Sequence, residues 1–580
     1  MKTKAITLAT ICFALAGQVK AATINVPADY TSLQAAIAAA ATGDEIVISA
    51  NGPFNEFITI YGSMATNLTI RAATGFHPVI EGTNGMSFDG SAGPPPDGAI
   101  QSGVLVYIEH ASTWIGIKMR INMTGLDDFF GAAGEKYHYK VGNTFGGSVN
   151  FTNCTFEWAN DPNDPDALNS DMMRLEGTKV NFDHCHWGYV NMTPTNLSGL
   201  LSSAFGNGVG LAVDTDFVDC SWDISPDTSG SRRHAVGVLN TSPNTLHFLR
   251  CDFGDVSAND PSAAAEPRLG QAWCNLPHRA TFFDQCIFGR GAGRTIATAI
   301  PGSQYVNICL FLPTRGNFTL NDPVTDTTTI PMFFTNCIFQ TRPSKGSGTA
   351  INDFSGAGTG TGDFGRGNFT FVHCTYVDLD GAASVTNRAF MNVGDTVNSL
   401  IEIDNCIFSA PGVGSLGGGG ILLNTSATIA NPGNNIAGTI TVRGTNLLLA
   451  SSSYSITNDV IQHANGSAPV LADPLLQSDS IHLPSSSPAI DAGTDLAVPI
   501  DYDGNPRPIG VRPDIGAIEV QATEKLTITT SAGYVVISWT GGGTLQAAPE
   551  ASGTYTNVPS ASSPYTNAIT ANRTFYRTHQ

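Results

Sequence analysis

Along the chain from Val149 to Phe408, one short pattern of apolar and polar positions keeps returning. It reads VNFTNCTF at Val149–Phe156, VNFDHCHW at Val180–Trp187, TDFVDCSW at Thr215–Trp222 and LHFLRCDF at Leu246–Phe253. TFFDQCIF, MFFTNCIF, FTFVHCTY and IEIDNCIF follow, ending at Phe288, Phe339, Tyr376 and Phe408. Each copy has an apolar residue, a variable one, a polar one, Cys, a second variable one and an aromatic. Alternate residues of a strand share a face, so Phe151 points inward, Asn153 takes up a bend, and Cys154 and Phe156 point inward again beyond it. The cysteines 154, 185, 220, 251, 286, 337, 374 and 406 are 31, 35, 31, 35, 51, 37 and 32 residues apart. Cys309, in YVNICLF, divides the widest interval into 23 and 28 and is a degenerate ninth copy. An inward wall that turns a corner at this period predicts the coils of a parallel β-solenoid, with equivalent residues stacked roughly 4.8 Å apart.

In this reading Asn153, His184, Asp219, Arg250, Gln285, Asn336, His373 and Asn405 form an external polar ladder, while Cys and the aromatics form internal ones. Repeated cysteines could also pair as disulfides. Stacked side chains pointing the same way have poor bridging geometry, so buried free thiols are expected. No paired CxxC spacing suggests zinc, and equivalent cysteines on every coil look architectural rather than catalytic.

The two ends break the pattern. Lys2 and Lys4 precede an apolar run from Ala5 to Ala16, and Val19-Lys20-Ala21 has a small-x-small form, so residues 1–21 are expected to be a Sec signal directing the protein to the exterior or cell surface. INVPADYTSLQAAIAAAATGDEIVIS then predicts a strand, a capping helix from about Leu33 to Ala41 started by Thr31 or Ser32, and a second strand after Gly43. Near the other end stand ADPLL at Ala472–Leu476, SPAIDAG at Ser487–Gly493, DYDGNPRP at Asp501–Pro508 and PDIGAIE at Pro513–Glu519. With the repeats, the opening segment resembles right-handed parallel β-helix proteins of the pectin-lyase-like superfamily, and the later segments resemble the terminal motif of bacterial choice-of-anchor Q domain proteins. The resemblance implies an all-β fold: a right-handed parallel β-helix with an N-terminal capping helix over residues 22–470 and a terminal motif over 471–521. Residues 522–580, with YVVISW and TFYRT, predict a small fibronectin-III-like β-sandwich.

Composition narrows the function. Only 13% of positions are charged, about half the usual share, and 28 basic against 48 acidic residues give −20, which disfavours nucleic acid and anionic membranes as partners. No segment is long and apolar enough to span a bilayer. A monomer is expected.

The superfamily implies a polysaccharide or cell-surface glycan as partner, held on an outward sheet, so a further strand in each coil is of interest. MMRLE, GLAVD, GQAWC, NFTLN and AFMNV, before the cysteines, are its candidates. With Met173, Leu175, Leu211 and Val213 inward, Arg174, Glu176 and Asp214 face water, and on adjacent rungs the two carboxylates would suit a retaining glycosidase. Gln271, Trp273 and Asn321 are candidate substrate-binding residues, the indole for stacking on sugars. SRRHAVGV contributes Arg232, Arg233 and His234, a cation-and-base set suited to a lyase, or else a loop gripping an acidic turn. TGLDDFFG resembles the pectinesterase segment that would make Asp127 a nucleophile. Asp501, Asp503 and Asn505 of DYDGN place oxygens at alternate positions, giving a calcium site or a structural turn. The acidic loop Ala159–Asp171 has the same two readings. No alginate-lyase-like, chondroitinase-like or polygalacturonase-like motif is present. Two expectations follow: a secreted polysaccharide lyase or glycoside hydrolase, or a non-catalytic extracellular structural or adhesive protein.

Overall fold

The structure, a computed structural model, describes residues 21–82, 470–521 and most of 526–579. Between them it describes the strands and corners of each coil; 83–105, 123–135, 144–146, 160–169, 178, 191–198, 204–213, 224–233, 239–244, 254–273, 276–279, 290–295, 299–303, 313–317, 321–329, 342–350, 354–366, 381–390, 394–400, 412–422, 426–439, 444 and 451–469 lie outside, as do 1–20 and short tail segments. The chain is a right-handed parallel β-helix. Three parallel sheets of 14, 13 and 12 strands run its length, one strand per sheet per coil. The first sheet holds the strand before each cysteine, such as Val149–Thr152, and the second the strand after it, such as Thr155–Ala159. The third holds strands such as Ser170–Gly177.

Register explains the repeat. Val149 pairs with Val180 and Phe151 with Phe182, without slippage, and the same correspondence continues to Phe217, Phe248 and Phe283. These rings stack face to face at 4.7 to 5.2 Å between centroids. A second column, Phe156, Trp187, Trp222, Phe253, Phe288, Phe311 and Phe339, stacks at 4.6 to 5.2 Å. Each such fully buried ring contributes roughly 1.5–3 kcal/mol by leaving water.

The corner residues are in the left-handed region, with φ of 51° to 55° from Asn153 through Asn405. Asn and Asp tolerate that conformation; for the others it costs about 1–2 kcal/mol. The bend still keeps its amide bonded, as Asn153 N donates to Asp183 O at 2.9 Å on the next coil. Ile308 has the same φ, and its strand Gln304–Asn307 pairs with Thr281–Asp284 on one side and Ile330–Thr335 on the other. The ninth copy is a full coil. The nine described repeat cysteines are buried and unbridged. Their thiols donate to carbonyls, as Cys185 Sγ does to Phe151 O at 3.4 Å. Burial pushes the Cys154 and Cys406 thiols well up, so they stay protonated.

Helix Leu33–Ala39 closes the N-terminal end. Ser32 caps it by accepting from Ala35 N at 3.2 Å, and the Glu56 carboxylate accepts from Leu33 N and Gln34 N. Leu33, Ala36 and Ile37 are buried on the first coils.

The terminal segment does something different. After strand Val470–Leu471 adds to the second sheet, residues 472–521 turn back over the outside of the coils already built. Asn336 Nδ2 donates to Ile500 O at 2.8 Å, Asn405 binds Thr494 through both its amide atoms, and Ala517 N donates to Thr375 Oγ1 at 2.9 Å. The external ladder is therefore external only in part. Asn153, His184, Arg250 and Gln285 are exposed, but Asn336, His373 and Asn405 are buried beneath this flap. Residues 526–579 form two three-stranded antiparallel sheets around Ile537, Leu545 and Ala548, a small sandwich. Among the described residues no helix is long and apolar enough to cross a membrane.

Candidate functional site

A run of partly open polar side chains lies on the outer face of the second sheet. Inward Phe156 and Trp187 leave the residues on either side of them facing out. Register lines these up in two rows. One runs Lys118, Thr155, His186, Ser221, Asp252; the other runs Glu81, Arg120, Glu157, Gly188, Asp223.

Within the rows the charges pair. Glu157 Oε1 accepts from Lys118 Nζ at 2.5 Å, and its Oε2 accepts from Arg120 Nε at 2.8 Å. Arg120 also approaches Glu81 at 3.5 Å, giving a chain of alternating sign across three strands. Farther along, His186 Nδ1 lies 2.8 Å from Ser221 Oγ, and its Nε2 lies 3.4 Å from Asp223 Oδ1. Gly188 permits this contact: a Cβ there would sit 2.6 Å from Asp223 Oδ2 and 2.9 Å from His186 Nε2. An imidazole between a hydroxyl and a carboxylate can shuttle a proton, and the rows offer hydrogen bonds to a polymer lying along the solenoid axis.

The sequence candidates are placed elsewhere. Arg174 and Glu176 lie on strand Ser170–Gly177 of the third sheet, as expected. Asp214 does not lie on the neighbouring strand of that sheet, which is Gly199–Ser203. It sits just ahead of Thr215–Val218 in the first sheet, where its carboxylate accepts from Thr245 N at 2.8 Å, and its carbonyl accepts from Val180 N. The position registered with it is Lys179, three residues beyond Glu176, so the two acids are not rung neighbours. The pattern misled because Asp214 follows alternating apolar residues, yet it is the last residue before a repeat strand.

His234 begins strand His234–Val238 of the third sheet, so this half of the basic segment is sheet rather than loop; it registers with Gly199. Arg232, Arg233, Gln271, Trp273, Asn321, Asp127 and most of the acidic loop 159–171 fall outside the described residues.

The DYDGN oxygens have other partners. Asp501 is buried and accepts from Asn505 N at 2.7 Å and Glu519 N at 2.9 Å, while Asp503 turns to His482 at 3.0 Å. Burial opposes charge on His482, but bonds to Asp479 and Asp503 outweigh it and hold its pKa above the ordinary value. Among the described residues one three-member set of metal-ligand type converges, Asp183, His184 and Asp219 at the corner. Arg250 grips both Asp219 oxygens there, at 2.7 and 2.6 Å, and holds that carboxyl below its usual range, so the set is already neutralised by a cation.

One further exposed feature is aromatic. Phe282, Tyr305 and Phe333 stack on the outer face of the first sheet at 4.7 and 5.1 Å, and His247 tilts against Phe282 at 4.6 Å. Their faces are occupied by one another, which leaves edges rather than the flat faces sugars stack on.

The second-sheet rows lie on the strand after each cysteine, not on the earlier strand, in the third sheet, that holds Arg174 and Glu176. The signal was present in the second variable position of the repeat. It reads Thr155, His186, Ser221, Asp252, then Ile287, Leu310, Ile338. No protein-family model and no curated protein matches this chain.

Proposed function

We propose that this is a secreted or surface β-helix protein that binds polysaccharide, with the chain of sugars lying along the second-sheet rows from Glu81 to Asp252. The observation carrying the proposal is the first of those rows: Lys118, Thr155, His186, Ser221 and Asp252 set a polar, half-exposed side chain on each successive rung, before the row turns apolar at Ile287 and Leu310. A surface that repeats every ~4.8 Å suits a polymer that also repeats. The rows hold two cations, Lys118 and Arg120, against the four carboxylates of Glu81, Glu157, Asp223 and Asp252, and this negative balance favours neutral or weakly acidic glycans over strongly sulfated ones. The sequence resemblance to pectin-lyase-like proteins, and of residues 472–519 to the choice-of-anchor Q motif, supports an extracellular setting and a glycan partner. Processing by lyase or hydrolase chemistry at Arg174, Glu176, His234 and the other candidates is the enzymatic form of the same proposal, and calcium at Asp501–Asn505 an accessory to it.

Affinity electrophoresis of the mature protein through gels containing neutral, uronic and sulfated glycans tests the reading. Retardation in at least one neutral or uronic gel, lost on Arg120→Ala with His186→Ala, is expected. Equal mobility in every gel, or retardation that this double variant leaves intact, overturns the assignment. Following reducing ends and unsaturated products in the same incubations separates processing from binding.

A further inference from the structure

We propose that Ser221, His186 and Asp223 form a nucleophilic hydrolase site whose substrates are esters of small carboxylic acids. The inference stands on the side chains themselves and goes beyond glycan binding; only the identity of the alcohol as a sugar hydroxyl rests on the preceding reading. The three residues come from neighbouring coils, His186 from strand His186–Val190, Ser221 from Ser221–Trp222, and Asp223 from the position just after it. His186 and Ser221 are direct register partners, which sets the 2.8 Å contact between hydroxyl and imidazole. Asp223 registers with Gly188 and leans back over it, so its Oδ1 reaches His186 Nε2 at 3.4 Å. Any side chain at 188 would occupy that space. A carboxylate at Nε2 favours the tautomer protonated there and leaves the Nδ1 lone pair facing the serine hydroxyl. About a third of the His186 and Asp223 side chains is exposed, so an ester can approach from solvent.

The chemistry closes. His186 Nδ1 takes the Ser221 proton as Oγ attacks the ester carbonyl carbon; the carbon–oxygen bond to the alcohol breaks, and the alcohol leaves with that proton. Water then gives a proton to Nδ1 while its oxygen attacks the acyl-serine, the Oγ–carbon bond breaks, and Ser221 regains its proton as the free carboxylic acid departs. Asp223 stabilises the imidazolium in both halves and is unchanged. The nearby main-chain amides are already committed to the sheet: Ser221 N donates to Cys185 O, Asp223 N to Trp187 O and Asp252 N to Cys220 O, at 2.8 to 2.9 Å. Oxyanion stabilisation by those amides is therefore absent, and esters with good leaving groups should react best.

The test incubates the full-length mature protein with p-nitrophenyl acetate, and separately with a fluorophosphonate followed by peptide mass mapping. Expected are nitrophenolate release that falls about 100-fold in Ser221→Ala and in His186→Gln, a smaller fall in Asp223→Asn, and phosphonylation at Ser221. Release unchanged by Ser221→Ala, or a label absent from Ser221 in the wild-type protein, overturns the proposal, and the second readout requires no variant to fold. Acetate release from an O-acetylated polysaccharide forms the last arm. Aryl-ester turnover with no release from the glycan keeps the nucleophile and removes the sugar alcohol, whereas glycan retardation without any turnover keeps the binding surface and removes the nucleophile.

Discussion

The second sheet has two halves with the same backbone and opposite fates. Directly after each cysteine the outward position is polar and half-exposed at Thr155, His186, Ser221 and Asp252; at Ile338, Thr375, Ile407 and Leu447 the same position is buried. The rungs, register and inward aromatic column continue unchanged across the boundary. What differs is the cover. Residues 472–521 lie over the second half, where Leu483, Ala489 and Ile515 pack on Ile407 and Leu447. A solenoid thus separates two properties usually entangled: the inner face builds the fold, and the outer face is free to be either a site or a docking surface. The terminal motif belongs to the second use. Its polar residues, which read from the sequence as a calcium turn or family signature, serve their own backbone: Asp514 accepts from Asp491 N and Val520 N, Glu519 from Ile509 N and Asp514 N, and Asp501 from Asn505 N and Glu519 N.

The difference can be broken from the covered side first. Arg507 is the buried post of the flap, donating to Asp514 O at 2.9 Å and Gly516 O at 3.1 Å and lying against His373 and Glu519. Arg507→Ala leaves Glu519 and those carbonyls without their cation, and a loss of about 3–5 kcal/mol in urea unfolding is expected, with dye binding to the uncovered apolar face. A loss under about 1 kcal/mol would mean that the flap adds little to the fold. Gly516 comes next, because at φ 98° a Cβ would lie 2.5 Å from Ile407 Cδ1 and 2.8 Å from Thr375 Oγ1. Gly516→Val should cost about 1–3 kcal/mol from overpacking and backbone strain together.

Acid sharpens the same contrast. Burial, and then the charge of Arg507, lower the pKa of His373 to about 3. With an unfolded value of about 6.5, the folded state holds fewer protons in between, so this stability is complete above 6.5 and is lost as pH falls toward the folded value. The slope approaches about 1.4 kcal/mol per pH unit. Asp514 and Glu519, raised by burial, take up protons in the folded state first and oppose the loss at the acid end. Wild type minus His373→Gln, measured by urea unfolding across this range, isolates the histidine; parallel curves would remove it from the account. The smallest effect belongs to the open half. Lys118 and Arg120 are partly exposed around Glu157, so Glu157→Gln should cost at most about 1 kcal/mol and less in high salt.

Much of the architecture was legible in the residues themselves. Phe151, Cys154 and Phe156 recur at coil spacing, and a period of two interrupted by a bend has one economical solution, stacking like on like. The bend at the corner, the free thiols, the helix begun at Thr31 or Ser32 and the coil at Cys309 follow from local pattern, whereas the left-handed φ of the corner emerges only in the structure. The candidate site was less legible. The alternation around Glu176 and Asp214 suggests adjacent rungs, whereas neighbours in a solenoid are decided by register between coils, and the segments joining the coils vary in length.

The contrast at the corner ladder states the division most simply. His184 and His373 occupy the same position of the same repeat, with the same φ within a degree, yet one is exposed and the other is buried against Arg507. Local sequence determined the bend, the rung and the inward face, because those depend on residues a few positions apart and on a stack that repeats. Only the tertiary structure decided which outward residues meet water, because that depends on a segment more than a hundred residues later folding back across coils already complete.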